Sequence, residues 1–182
     1  MKNLVLGIVF VFLLTGVTSY TVTEQKDTEV FESSIHQVQY VVDGDTIEIE
    51  NAVRLRLIGI DTPERDECGF TEARTFLRQM IDGQSVRIEK DISETDSYDR
   101  LLRYVYLPSD QPQAQDVLVN EVLVRAGHAR TMTIAPDTRY RQLFAAAQKE
   151  AKRAGRGIWG NCNKEKENKG PPFDKGWPFV ER

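Results

Sequence analysis

An α+β fold, a small closed β-barrel with helices packed on it, is what the sequence predicts. Five stretches alternate apolar and polar residues with the period of a strand, and three others space their apolar residues as one face of a helix. Their order is strand, strand, helix, strand, strand, helix, strand, helix. A chain of 182 residues, 40% of them hydrophobic, suits one domain with its own core plus tails.

Residues 1–19 have the pattern of a secretory signal peptide: Lys2 gives a charged start, Leu4 to Leu14 an apolar run, and Val17-Thr18-Ser19 small residues before a cut. That run is shorter than the ~20 apolar residues a membrane span takes, so no stable insertion is expected once it is removed. An uncleaved N-terminal anchor is the alternative. Residues 20–35 are polar and aperiodic and are expected to form a flexible leader. The domain is expected over 36–160, and 161–182, rich in Lys, Glu, Gly and Pro, as a disordered tail.

Within the domain, Val38 to Glu50 alternates around Asp43-Gly44-Asp45, which predicts one strand with a bulge re-aiming Asp45. The next strand sets Val53, Leu55 and Leu57 on one face and Arg54, Arg56, Ile58 and Ile60 on the other. It stops at Asp61-Thr62-Pro63-Glu64, where proline ends a central ladder. Phe70, Ala73, Phe76, Leu77, Met80 and Ile81 make the helix over 69–81, closed by Asp82-Gly83. Strands follow at Ser85 to Asp91 and from Arg100 through Tyr106, separated by the polar loop Ser93 to Asp99. Asp116 is expected to cap a helix carrying Val117, Val119, Val122, Leu123 and Ala126, ended by Gly127. A short strand lies within His128 to Ile134. A last helix from Pro136-Asp137 carries Tyr140, Leu143, Phe144, Ala147, Ala151 and Ala154.

Charge narrows the function. With 24 basic against 28 acidic residues, net −4, the chain is not built to coat nucleic acid electrostatically, which leaves room for a local phosphate pocket. Asp45 and Asp61 are hard oxygen donors suited to Ca²⁺ or Mg²⁺, and the two histidines and two cysteines lack zinc spacing. Taken alone, Asp-Gly-Asp is an ordinary turn. A guanidinium at Arg56, inside an apolar strand, needs an anion: a phosphate, or a structural partner such as Glu64 or Glu48. Arg100 at a strand start is either a second phosphate ligand or a solvated surface arginine. Glu64 is placed to orient or deprotonate a water, or else to balance Arg56. Tyr98 is a candidate for phosphate or base contact, or for packing. Cys68 and Cys162 form a disulfide candidate in an exported chain, two free thiols being the alternative.

Five ordered blocks carry a resemblance to the staphylococcal nuclease (thermonuclease) family. They are Val42-Asp43-Gly44-Asp45-Thr46, Arg56 through Glu64, Asp96-Ser97-Tyr98-Asp99-Arg100, Val119 through Gly127, and Gly157-Ile158-Trp159. The resemblance implies a five-stranded OB-fold barrel with three helices. It also implies Ca²⁺-dependent hydrolysis of DNA and RNA, single-stranded or locally opened, to 3′-phosphate ends by a secreted or cell-envelope monomer. It further implies that Asp45, Asp61 and the Thr62 carbonyl hold Ca²⁺, that Arg56 and Arg100 hold the scissile phosphate, and that Glu64 acts on the water. A non-catalytic barrel that binds nucleic acid or protein is the rival. The sequence departs from the family pattern where Asp99 replaces a glycine, where Met132 and Ile134 stand for aromatic residues, and in its two cysteines.

Overall fold

The computed structural model describes residues 33–111, 114–160 and 162. The expectations for 1–19, for most of the leader and for the tail beyond Cys162 fall outside them.

Strand β1 (Ser33–Val41) turns into β2 (Thr46–Ile49), and a short 3₁₀ turn leads to β3 (Val53–Leu57). Two-residue β4 (Ile60–Asp61) follows, then α1 (Phe70–Ile81), β5 (Ser85–Glu89) and β6 (Leu101–Leu107). The chain continues through β7 (Val117–Leu118), α2 (Val119–Arg125), β8 (Arg130–Thr131) and α3 (Arg141–Arg153). The main strands run in the order β3-β2-β1-β5-β6, and β6 returns to pair with β3, closing a five-stranded barrel. That closing pair is parallel, with Arg56 opposite Leu102, while the other four barrel pairings are antiparallel. The predicted OB-type barrel with three helices is what the chain forms.

Several local expectations change. The run from Val38 to Glu50 is a hairpin, not one bulged strand: Val42 and Asp43 both donate to the Thr46 carbonyl, turning the chain through Asp43-Gly44-Asp45. Gly44 is needed there for space. A Cβ on it would lie 2.7 Å from Thr62 Oγ1 and 2.9 Å from Ala73 Cβ, so the turn packs directly on the strand end and on α1. β1 begins at Ser33, inside the segment expected as leader, because Ser33 to Gln37 pair with β5. Asp116 does not cap α2; it accepts from Arg87 Nε at 2.8 Å, and Val117–Leu118 pair with β6 instead. The last helix starts at Arg141, not Pro136, because Asp137 spends its carboxylate on another loop.

The core fills the barrel with Ile47, Leu55, Leu57, Val86, Tyr104 and Val105, all essentially inaccessible. Helix α1 covers one side with Ala73, Leu77 and Ile81, one helical stripe, and α3 contributes Phe144, Ala147 and Ala151. One polar side chain is central to this packing. Asn120, wholly buried, accepts from Val105 N–H at 3.0 Å and donates to the Ile58 carbonyl at 2.9 Å. It ties β6 to the turn that delivers Asp61. Asn120→Ala strands both backbone groups, so a loss of roughly 2–4 kcal/mol is expected in denaturant titration; an unmoved midpoint would refute the tie.

Candidate active site

The site lies where the barrel closes. Arg56 on β3 is flanked by Thr46 on β2 and Leu102 on β6, and Arg100 is the residue just before β6. Barrel closure therefore brings together two arginines 44 positions apart in sequence. β3 is buried on both faces here, with Leu55 and Leu57 fully inside and Arg56 only 8% exposed.

Arg56 is held by groups other than those expected. One terminal nitrogen donates to the Leu57 and Ile60 carbonyls at 2.8 and 2.9 Å; the other lies 3.2 Å from Asp45 Oδ2 and 3.4 Å from Asp61 Oδ1. Neither Glu64 nor Glu48 pairs with it among the described residues. Asp45 in turn accepts from the backbone N–H and the hydroxyl of Thr62 at 2.8 and 2.9 Å, and its own N–H donates to Asp43 Oδ1 at 3.1 Å. Burial pushes the Asp45 carboxyl up to about 6; the Arg56 charge pulls down against this, Asp43 adds to the rise, and the Thr62 bonds oppose it.

Arg100 is braced by Asp96. The carboxylate takes Nε at 2.8 Å and a terminal nitrogen at 2.7 Å, while Arg100's other terminal nitrogen donates to Thr46 Oγ1 at 3.2 Å. Asp96 also accepts from the backbone N–H groups of Tyr98 and Arg100, making a closed hook. Burial would raise the Asp96 carboxyl, but these Arg100 and backbone bonds hold it below the usual range. Asp99 sits at φ +60°, in the left-handed region that favours glycine and that aspartate tolerates.

Arg56, Arg100 and Asp96 line one cleft of about 310 Å³ together with Met132, Ile134 and Ala135. Tyr98 is 79% exposed, its ring 5.5 Å from the Arg100 guanidinium carbon. So Asp45, Arg56, Asp61, Thr62 and Arg100 are drawn together. Glu64 is not drawn into the network: it stands on an exposed turn, its backbone bonded to Glu67, with no side-chain partner among the described residues. Cys68 and Cys162 are joined by a disulfide, Cα to Cα 5.7 Å.

The donor chemistry suits a hard divalent cation. Asp45 stays undercompensated by Arg56, as its raised carboxyl shows, and Asp61 beside it is half exposed. Among the described residues no three His, Cys, Asp or Glu side chains group to hold a metal alone. A cation at Asp45 and Asp61 would thus complete its shell with a backbone carbonyl, as at Thr62, and water. The sequence gives no site role to Asp96 or Asn120 and reads Asp137 only as a helix start; the i, i+4 spacing of Asp96 and Arg100 is the available signal for the first, and the others act across the fold.

A closed mixed barrel with three helices, and with carboxylates and guanidinium groups gathered at its seam, defines an α+β protein of OB type. The family model described as staphylococcal nuclease homologue matches residues 54–161, and the chain belongs to that family. It is 34% identical over 135 residues to the thermonuclease of Staphylococcus hyicus, covering 69% of this chain and 76% of that one. With the thermonuclease of Staphylococcus intermedius identity is 33% over 165 residues, 86% and 94% of the two chains. A micrococcal nuclease of Shigella flexneri is 31% identical over 132 residues, 70% and 74%. Asp45 precedes the segment matched by the family model, and its bonds to Thr62 and Arg56 tie it to that segment.

Proposed function

We propose that the chain is an exported, Ca²⁺-activated nuclease that hydrolyses DNA and RNA to 3′-phosphate products. What carries this reading is that Arg56 and Arg100 line one cleft beside the Asp45–Asp61 pair. Two fixed guanidinium groups there neutralise the charge that grows on phosphate oxygens as water adds to phosphorus. Arg56 has Nε–H uncommitted among the described residues, and its 3.4 Å contact with Asp61 is the one most easily exchanged for a phosphate oxygen. Arg100 is aimed by Asp96 and Thr46 so that little conformational entropy remains to be lost on binding. Glu64, exposed three residues past Asp61 and with no side-chain partner among the described residues, takes the proton from water as its oxygen bonds to phosphorus. The P–O5′ bond breaks, and the 5′ oxygen leaves with a proton from solvent. Asp45, Asp61 and the Thr62 carbonyl would hold Ca²⁺, which would supply a double positive charge to the site.

Export rests on residues 1–19 and on the Cys68–Cys162 bridge, which suits an oxidising compartment. Among the described residues no helix is long and apolar enough to cross a membrane.

The test is digestion of heat-denatured DNA with Ca²⁺ or with chelator, followed by end analysis. Hydrolysis is expected to fall by at least about 10³-fold on chelation, on the scale of losing the site's main charge stabilisation, and the fragments to carry 5′-hydroxyl and 3′-phosphate ends. Equal digestion with chelator would remove the cation from the reading; DNA binding without cleavage in either buffer would make the barrel a binding module.

A further inference from the structure

We propose that Asp137 is a positioning residue that sets the aim of Arg100 by clamping together two chain segments that line the cleft. The inference rests on the hydrolytic reading of that cleft. Asp137 is 5% exposed and sits in the cleft wall that carries Ile134 and Ala135. Its Oδ1 accepts from the backbone N–H groups of Ile92 and Ser93, both at 2.9 Å, and Ser93 lines the cleft as well. From Ser93 the chain runs three residues to Asp96, whose carboxylate takes both the backbone N–H and the side chain of Arg100. The loop is zipped between these points, Leu102 N–H donating to the Glu94 carbonyl at 2.9 Å and Asp96 N–H to the Arg100 carbonyl at 3.0 Å. A shift at Ile92 and Ser93 is therefore passed to Arg100 with few soft joints between.

The charge of Asp137 makes the same point. A carboxylate in the wall of a cleft for a polyanion repels the substrate, so its presence there answers to what its oxygen holds. Burial would raise this carboxyl, yet the Ser93 and Ile92 N–H groups hold it below the usual range, so it stays ionised. It points its accepting oxygen at backbone and has no need to touch substrate. Removing it should not unfold the chain. Arg139 anchors the same loop independently, its terminal nitrogen donating to the Lys90 carbonyl at 2.9 Å and its backbone N–H to Asp91 at 3.1 Å.

The experiment compares Asp137→Ala, Asp137→Asn, Arg100→Ala and the Asp137→Ala/Arg100→Ala pair in the full chain, all assayed well below their melting temperatures. Asp137→Ala is expected to lower kcat about 10- to 100-fold, the scale of a misplacement near 1 Å, with KM moved less than about threefold. Asparagine keeps an accepting oxygen without the charge, so Asp137→Asn is expected to keep kcat within about threefold and to leave KM equal or lower. In the Arg100→Ala background, Asp137→Ala is expected to cost less than about threefold more, since the group it aims is gone. Multiplying losses in the pair, or asparagine failing as alanine does, would overturn the proposal. A second readout is independent of activity: the Arg100 Nε–H resonance is expected to exchange with solvent at least about tenfold faster in Asp137→Ala than in the wild-type chain, as a loosened Asp96 bond requires. An unchanged exchange rate overturns the positioning role. An inactive wild-type chain overturns the hydrolytic reading, and the exchange rate then still decides the positioning.

Discussion

Arg100→Ala is expected to cut kcat for DNA hydrolysis by about 10³-fold or more while the denaturation midpoint moves little, whereas Arg56→Ala is expected to lose activity and stability together. The two arginines face one cleft, but their surroundings differ. Arg100 is a quarter exposed and binds Asp96 and Thr46, and Asp96 keeps its two backbone N–H partners when the side chain goes. The loss is then chiefly of charge stabilisation at phosphorus, which for a phosphate-directed arginine is worth about 10³–10⁵ in rate. Arg56 also serves two buried carbonyls and offsets the Asp45 carboxylate. Its removal leaves a buried carboxylate short of its cation, and breaking such a pair costs about 3–5 kcal/mol. Steady-state kinetics beside urea titration separates the cases. Equal destabilisation by both variants would show that Arg100 is as much a structural group as Arg56. Glu64→Gln belongs with Arg100→Ala in this comparison, since its side chain contributes no bond to the described fold.

Much of this was legible along the chain and some was not, and the difference is physical. Arg56 was conspicuous because a cation within an apolar strand must find an anion, and the helix at 70–81 because its stripe of apolar residues has a single period. The identity of the anion was not legible. Asp45 reaches Arg56 because β2 pairs with β3 in a register that sets Thr46 opposite Arg56, and pairing registers are properties of the folded sheet. The turn at Asp43-Gly44-Asp45 was read as a bulge because glycine interrupts alternation in both cases; only the 2.7 Å approach to Thr62 shows that the glycine makes room. Asp116 and Asp137 look like helix caps by local chemistry. Each instead holds a distant partner, Arg87 in one case and the Ile92–Ser93 backbone in the other. Local propensity lost to tertiary contact at both. The family motifs marked Asp45, Asp61, Arg56 and Arg100 as a set, and the closing parallel pair of β3 and β6 is the physical reason the set exists.

Reducing the Cys68–Cys162 bridge is expected to lower stability by roughly 3–5 kcal/mol while lowering kcat by no more than about tenfold at temperatures well below melting. The bridge spans 94 positions that hold β5, β6 and all three α-helices, and closing a loop of about 100 residues removes on the order of 4–5 kcal/mol of chain entropy from the unfolded state. Native packing around it is close: a Cβ on Gly69 would lie 3.7 Å from the Cys162 sulfur and 2.6 Å from Ile158. The site itself has other anchors. Asp61 is held by the pairing of β4 with β8 opposite Arg130, and Thr62 by its two bonds to Asp45. The stretch from Glu64 to Cys68 has less, since among the described residues Glu64 is tied only to Glu67, through its backbone. Reduction should therefore leave the Ca²⁺ requirement unchanged and lower kcat by no more than about tenfold, through a looser Glu64, a loss within the reach of general-base positioning. Denaturant titration with and without reductant, with thiols counted to confirm the reduced state, reads the first effect. A shifted Ca²⁺ midpoint would show that the bridge supports the cation site as well as the chain.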